Sequence, residues 1–527
     1  MKKQFFLLAT LICLTFIIAA CGNDEKAVEK KEKANEPSNV NIALGHALDY
    51  LGLDPYANGR ENTTLKTVVF ESLALETSSG QFESALAENW EVSEDAKVWT
   101  FYLKKDIKFH DDTLFTSDAV VQAFNRYMQN KELSRRLGIE KVEATDDYTV
   151  VFTLTRPSAT FLTVVGSYQT AIPSPTGFDA EGKFVEAIGT GPYKVQSSTK
   201  ERIEFVANGN HWRGKPDIDN LNVIYISDAS TMILALESGE VDLIGADGYG
   251  ISFSEIERLK GNENLKVVIN EDASSMEWIG FNLYKGPLSD KNLREALNYS
   301  INRQEIIDYV YEGYATTAKG PIGFNDSIPW VDTSIEGYTY DLAVAEGLFK
   351  KAGYTEKNEE GYFVKDGQAL ELTFVTKSDR TWKPVSEILQ NQLKDVGVKV
   401  NLEVRGDDIV RDLVKKGEYD LVSLGSMGKS NADPYYFFQY YFTSTGTNSI
   451  ISDSPKLDQL VRNVVMTIDH EKRAQIYNDI QQEVMMNIPG AFLVHPSRVT
   501  IMDNKYDNWK FAGTMDPLRF VYALTKK

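Results

Sequence analysis

Both cysteines of this chain, Cys13 and Cys21, fall within its first 21 residues. Everything beyond them must fold without a disulfide, a thiolate metal site or a cysteine nucleophile. The stable core therefore has to come from apolar packing. Lys2 and Lys3 precede an apolar stretch from Phe5 to Ala20, which ends at Ile18-Ala19-Ala20-Cys21-Gly22. The stretch is shorter than the roughly 20 residues of a bilayer-spanning helix, and small residues directly before a cysteine have the form of a signal peptide cut at a lipid-attachment site. Residues 1–20 are expected to be that signal, and Cys21 the lipidated first residue of the mature chain. No later segment offers a comparable apolar run.

Residues 24 to 39 are almost all charged or polar and cannot bury enough apolar surface to order themselves. With the cysteine they make 21–39 a tether, long enough to hold a folded body a few nanometres above a membrane.

The remaining chain, about 490 residues, exceeds what one hydrophobic core usually holds, so two or three domains are expected. Without Lys2 and Lys3 there are 54 basic residues against 76 acidic, a charge of −22. Nucleic acid is not an expected partner, because phosphate binding needs a concentrated basic face. The acidity reads as a solvated exterior. His46, His110, His211, His470 and His495 are scattered, and no pair has zinc-site spacing.

Strand-like and helix-like segments alternate throughout, a mixed α/β pattern. Tyr148, Val150, Phe152 and Leu154 alternate as in a strand with one buried face, whereas Val120, Ala123, Phe124, Tyr127 and Met128 fall at helical spacing after Ser117-Asp118. A clear unit runs from Ser386 to Gly425. Ile388, Leu389 and Leu393 share a helical face, Gly397 supplies a left-handed C′ turn, and Val398, Val400, Leu402 and Val404 alternate as a strand. A helix near 408–416 and a buried strand at 419–424 complete a β-α-β pattern. In open α/β sheets ligands bind beyond the carboxyl ends of strands, here the loop 425–434. The aromatic run that follows, Tyr435 to Phe442, reads as lobe core, with one or two tyrosines reaching a cleft.

Signatures that would demand chemistry are missing. Gly425-Ser426-Met427-Gly428 lacks the first glycine of a nucleophile elbow, His470-Glu471-Lys472-Arg473-Ala474 lacks the second histidine of a zinc-protease helix, and Gly189-Thr190-Gly191 lacks a third glycine. No enzymatic activity is expected.

An ordered series of segments resembles the peptide/nickel-binding family of ABC-importer receptors, family 5 solute-binding proteins. It includes Leu86-Ala87-Glu88-Asn89-Trp90, Trp99 through Asp111, Gly189-Thr190-Gly191-Pro192-Tyr193, Asn210-His211-Trp212-Arg213-Gly214, Gly280-Phe281-Asn282 and Leu293-Arg294-Glu295-Ala296-Leu297-Asn298-Tyr299. The resemblance implies an α/β, class II periplasmic-binding-protein-like fold of two lobes with an inserted α+β domain and the ligand in a cleft between the lobes. Lobe I would comprise 40–75, 189–278 and 503–527, the inserted domain 76–188, and lobe II 279–502. It also implies hinge closure around a small ligand and delivery to permease subunits at the membrane. A monomer is expected, and no resident cofactor. His110 lies in a block that marks the fold, so a structural role is expected for it. The family usually has Asp-Gly after Phe-His, where this chain has Asp111-Asp112; aspartate tolerates the same turn.

The connection after the helix at 120–128 is short, as in the nickel and metallophore receptors, and this favours a metal chelate over a short peptide. Histidine is scarce, so nickel or another transition metal would arrive with its own small chelator. The chelate's carboxylates would be held by arginine within aromatic walls. By resemblance, Arg136 stands where the nickel group often has an aromatic residue, and Tyr168-Gln169 where it usually has arginine. Arg380, near Trp382, resembles the arginine that fixes a peptide carboxylate in dipeptide receptors. Asp433-Pro434 matches the family loop, Lys429 stands where dipeptide receptors place an ammonium-binding aspartate, and Met427 replaces a tryptophan common in the nickel group. Tyr56 and Tyr435 complete the candidate contacts.

Overall fold

Alternating burial builds the first sheet around Asn39–Leu44, which buries Val40, Ile42 and Leu44 and lies parallel to Asn220–Tyr225. The computed structural model describes residues 37–57, 63–77, 81–246, 251–271, 275–323, 329–379, 381–426, 433–512 and 517–527. Cys21 and the tether up to residue 36 lie outside the described residues. Seven strands make this sheet, in the order Leu265–Asn270, Arg498–Asp503, Leu243–Ile244, Asn39–Leu44, Asn220–Tyr225, Arg202–Ala207 and Tyr193–Ser198. A second sheet has six, in the order Ala315–Thr317, Gly490–Pro496, Met276–Phe281, Leu421–Ser426, Glu371–Lys377 and Lys399–Arg405. Each carries its own apolar core, so the body has the two lobes that the family resemblance implies.

Two boundaries differ from the sequence division. The limit drawn at 278/279 falls inside Met276–Phe281, which pairs throughout in the second sheet, so it moves to 275/276. Arg498–Asp503 pairs with Leu243–Ile244 and with Leu265–Asn270 in the first sheet, so the limit drawn after residue 502 moves to 497/498. The strand Gly490–Pro496 passes into it with only Ser497 between, a change of sheet too abrupt for sequence alternation to register.

A third sheet, antiparallel and four-stranded, lies within the stretch 76–188: Ala87–Val92, Val98–Leu103, Thr149–Leu154 and Ile139–Asp146. Helix Ser117–Gln129 packs Val120, Ala123, Phe124 and Tyr127 inward, as their spacing requires. The segment 130–137, a mere connection by sequence, winds into a further helix, Lys131–Leu137. At Asp112 the backbone φ is +65°, the left-handed turn that glycine would otherwise supply.

The β-α-β unit forms as its pattern dictates. Helix Trp382–Val396 buries Leu389 and Leu393 and ends at Gly397 with φ +103°. Lys399–Arg405 and Leu421–Ser426 then flank Glu371–Lys377 on either side, both parallel to it, with helix Asp407–Lys416 between them in the chain. The aromatic run becomes helix Tyr435–Phe442, which buries Phe438 and Phe442.

Candidate ligand site

Two parallel strands of the second lobe, Glu371–Lys377 and Leu421–Ser426, end side by side, and the antiparallel Met276–Phe281 begins there. The pairing sets Glu277 opposite Gly425 and Met276 opposite Ser426. These carboxyl ends border the loop that the topology marks for ligand. Two routes join the lobes beside them, one through Ser275 and the other through His495 and Ser497. Nδ1 of His495 lies 3.0 Å from the Ser275 carbonyl oxygen, so Nδ1 donates and ties the two routes together.

Glu277 is half-buried as a residue, yet its Oε2 is fully enclosed and accepts no hydrogen bond. Burial pushes its carboxyl up to about 8; the Lys377 charge and a hydrogen bond from Trp382 oppose this, while Asp379 adds to it. Lys377 is itself engaged by Asp407 at 3.3 Å. Trp382, expected from its place beside Arg380 to reach the ligand, is 2% exposed within the lobe core, and its amide donates to Asp379 Oδ1 at 2.7 Å.

Asp433 is also buried. It accepts from the Tyr435 amide at 3.0 Å and from the Tyr477 hydroxyl, and Arg473 stands 3.6 Å away. Burial raises its carboxyl above the ordinary range in spite of Arg473. Asp433 and Tyr435 thus belong to one anchored turn that follows residue 432. Met427, Lys429, Arg380 and the Arg136 side chain lie outside the described residues.

The other candidates belong elsewhere in the chain. The Tyr56 ring packs 4.8 Å from Tyr127 and 5.2 Å from Phe178, and Arg126 lies over it at 4.4 Å. Tyr168 is buried at the start of a short 3-10 turn, and Gln169 donates its amide to Ser167 Oγ at 3.2 Å. Tyr127 connects the two places, because its hydroxyl donates to the Ala171 carbonyl at 2.7 Å.

Two groups escape the motif reading. Glu277 is the single charged residue of Met276–Phe281, a signal available in the sequence but masked by the apolar run around it. Glu71 accepts from Thr190 Oγ1 at 2.9 Å and Trp212 Nε1 at 2.8 Å and meets His211 Nε2 at 3.3 Å. Burial opposes ionisation of Glu71, but His211 and Trp212 hold its carboxyl below the ordinary range. This cluster ties together the family blocks at 189–193 and 210–214.

Residues 81–449 match the model of bacterial extracellular solute-binding proteins, family 5, middle region. The chain belongs to this family. Among its relatives is a heme-binding protein A of Haemophilus influenzae, 26% identical over 92% of this chain and 93% of that one. The nickel-binding periplasmic protein of Escherichia coli is 26% identical over 90% and 89%, and the dipeptide-binding protein of the same organism 29% over 78% and 80%. The crystal structure of NikA from Brucella suis in complex with Fe(III)-EDTA superposes with a TM-score of 0.85 at 24% identity, covering 93% of this chain and all of that one. Family 5 binding proteins are extracytoplasmic and deliver small ligands to ABC permeases. The Glu277 end of the second lobe lies on this shared binding-protein fold.

Proposed function

We propose that the chain captures nickel or a related transition metal as a small-molecule chelate and passes it to the permease of an importer. The supporting observation is how the histidines are employed. His110 donates Nε2–H to the Gly191 carbonyl at 3.0 Å, and His211 spans Gly214 and Glu71. His495 is tied to Ser275, and His470 packs its ring 4.4 Å from Trp330. Nickel favours nitrogen donors, and His110 and His211 spend both ring nitrogens on the fold while the His495 ring is buried, so most donors would arrive with the metal. Arg136 and Arg380 are our candidates for the chelate's carboxylates. Tyr56, Tyr168, Gln169, Met427, Lys429, Asp433 and Tyr435 would line the cleft, with Trp382 acting from beneath through Glu277.

In this reading the ligand lies between lobe I, 40–75 with 189–275 and 498–527, and lobe II, 276–497, and 76–188 form the inserted domain. Cys21 carries the lipid that keeps a monomeric body at the outer face of the cell membrane. The test is native mass spectrometry of the protein purified from its own host, with metal analysis of the same sample. A transition metal accompanied by a small chelator supports the proposal. A set of short peptides without metal sinks it in favour of peptide import, the second reading, which the enclosed carboxylate of Glu277 favours because it suits an ammonium group.

A further inference from the structure

We infer that Glu277 is a specificity-determining contact that receives a cationic N–H group of the ligand, either the ammonium of a peptide or an amine polarised by the metal it binds. The inference rests on the receptor reading above and deepens it by naming the chemistry presented to the second lobe.

The first ground is position. Glu277 stands where the parallel strands Glu371–Lys377 and Leu421–Ser426 end, next to the two routes that join the lobes. Residue 425, opposite, is a glycine, and a Cβ there would lie 3.3 Å from Oε2. On the side of Leu421–Ser426, no side chain opposite therefore covers the carboxylate.

The second ground is an incomplete set of partners. Oε2 is enclosed without a donor, and so is the hydroxyl of Tyr311, a group electrostatically linked to Glu277. Enclosed polar atoms are nearly always paired, and one left bare costs about 1–3 kcal/mol. The bare Oε2 at the end of the sheet, with a second unpaired group in its field, makes a place that a ligand completes.

The third ground is the sign of the charge. The groups around Glu277 are Lys377 and Asp379 from the end of strand Glu371–Lys377, Trp382, which donates it a hydrogen bond, Tyr311 and Tyr441. Lys377 is the one cation among them and is engaged by Asp407. With Asp379 adjacent, an ionised Glu277 leaves this end short of positive charge among the described residues, and an N–H cation supplies it. Without ligand the enclosed carboxyl holds its proton near neutrality, with a value of about 8. Binding of the cation then displaces that proton to solvent as the carboxylate ionises.

The experiment compares the whole protein with Glu277→Gln by thermal unfolding from pH 4 to 9, alone and with two probes, L-alanyl-L-alanine and nickel(II) with excess L-histidine. A carboxyl with a raised value in the fold stabilises at low pH and loses that contribution as pH rises. Without probe, the midpoint of Glu277→Gln should gain on the unsubstituted protein between about pH 4.5 and pH 8 and hold level above. The probe that binds should do so at least tenfold more weakly to Glu277→Gln, and only the unsubstituted protein should release a proton. The dipeptide as that probe assigns the ammonium source, and the nickel chelate the amine. A difference that stays flat across this range means that the carboxylate is already compensated within the chain, and the inference falls; equal affinity in both proteins overturns it as well. If neither probe raises the midpoint of the unsubstituted protein, the chelate and dipeptide readings fall, while a difference that still widens with pH upholds a free carboxylate for another cation.

Discussion

The guanidinium of Arg473 donates to the carbonyl oxygen of Ala159 at 2.8 Å, and Ala159 donates its amide to the Val465 carbonyl at 2.7 Å. Ala159 precedes the short helix Phe161–Val165 that follows the four-stranded sheet, whereas Val465 and Arg473 lie on helices of the second lobe. The same arginine faces Asp433 at 3.6 Å and covers the Trp330 ring at 4.7 Å. One side chain thus joins the anchored turn at Asp433 to a distant part of the chain.

Substitution of Arg473 by Met should keep the stacking volume and remove both polar contacts. Asp433 is buried, so its loss of a cation should cost about 3 kcal/mol, the order found when one partner of a buried pair is removed. The unfolding midpoint reports that cost. Small-angle scattering should show a larger radius of gyration, because the Ala159 contact is lost with it. An unchanged radius with a lowered midpoint would confine Arg473 to the second lobe.

His110 and His495 should make the protein acid-labile. Burial lowers both to about 4. The Gly189 amide donates to Nδ1 of His110 and Nε2 donates to Gly191, so a second proton would destroy an acceptor. In His495 the added proton would sit on an enclosed Nε2 without a partner. A group lowered in the fold contributes stability above its unfolded value, near 6.5, and loses it as pH falls to about 4. The thermal midpoint should therefore drop by about 5 °C or more between pH 6.5 and 4. His495→Gln should flatten that slope, and an unaltered slope would show that the ring is not the titrating group.

Gly189 offers a steric test. A Cβ there would stand 2.1 Å from the Val69 carbonyl oxygen, and backbone cannot swing aside as a flexible side chain can. The carbonyl of Gly189 also receives the His110 amide at 2.9 Å. Gly189→Ala should cost about 3 kcal/mol through overpacking, seen as a lowered midpoint in urea. A cost below about 1 kcal/mol would mean that the chain yields at this junction.

Much of the scaffold was legible because its signals are local. Leu389, Leu393, Gly397 and Val400 declare a helix, its stop and a strand through spacing alone, and Asp112 adopts the turn expected at its position. Arg498–Asp503 was not legible as first-sheet strand, because its partners Leu243–Ile244 and Leu265–Asn270 are more than 200 residues away. The site divides in the same way. Asp433 and Tyr435 are neighbours in sequence and share a turn. Glu277, Tyr311 and the group Lys377, Asp379 and Trp382 come from three separate segments and meet only when the sheet has formed. The four-stranded sheet shows a further limit: alternation marks its strands, but not that Arg473, more than 300 residues on, holds the loop beside it.

Arg126 and Tyr56 provide the last test. The guanidinium lies 4.4 Å from the Tyr56 ring and 4.5 Å from the Phe178 ring, and it donates to the Gly182 carbonyl. A cation over two aromatic faces contributes about 1–2 kcal/mol when partly desolvated. Arg126→Met retains the apolar stem and should lower the unfolding midpoint by that amount. Arg126→Lys should recover less than half, because the planar fork both stacks and reaches the carbonyl, which a compact ammonium cannot do at once. If Tyr56 also lines the ligand cleft, Arg126→Met should weaken ligand binding as the ring loosens, whereas Tyr56→Phe should leave the midpoint nearly unchanged and isolate the hydroxyl's part in binding. Full recovery by lysine would show that charge alone holds the ring.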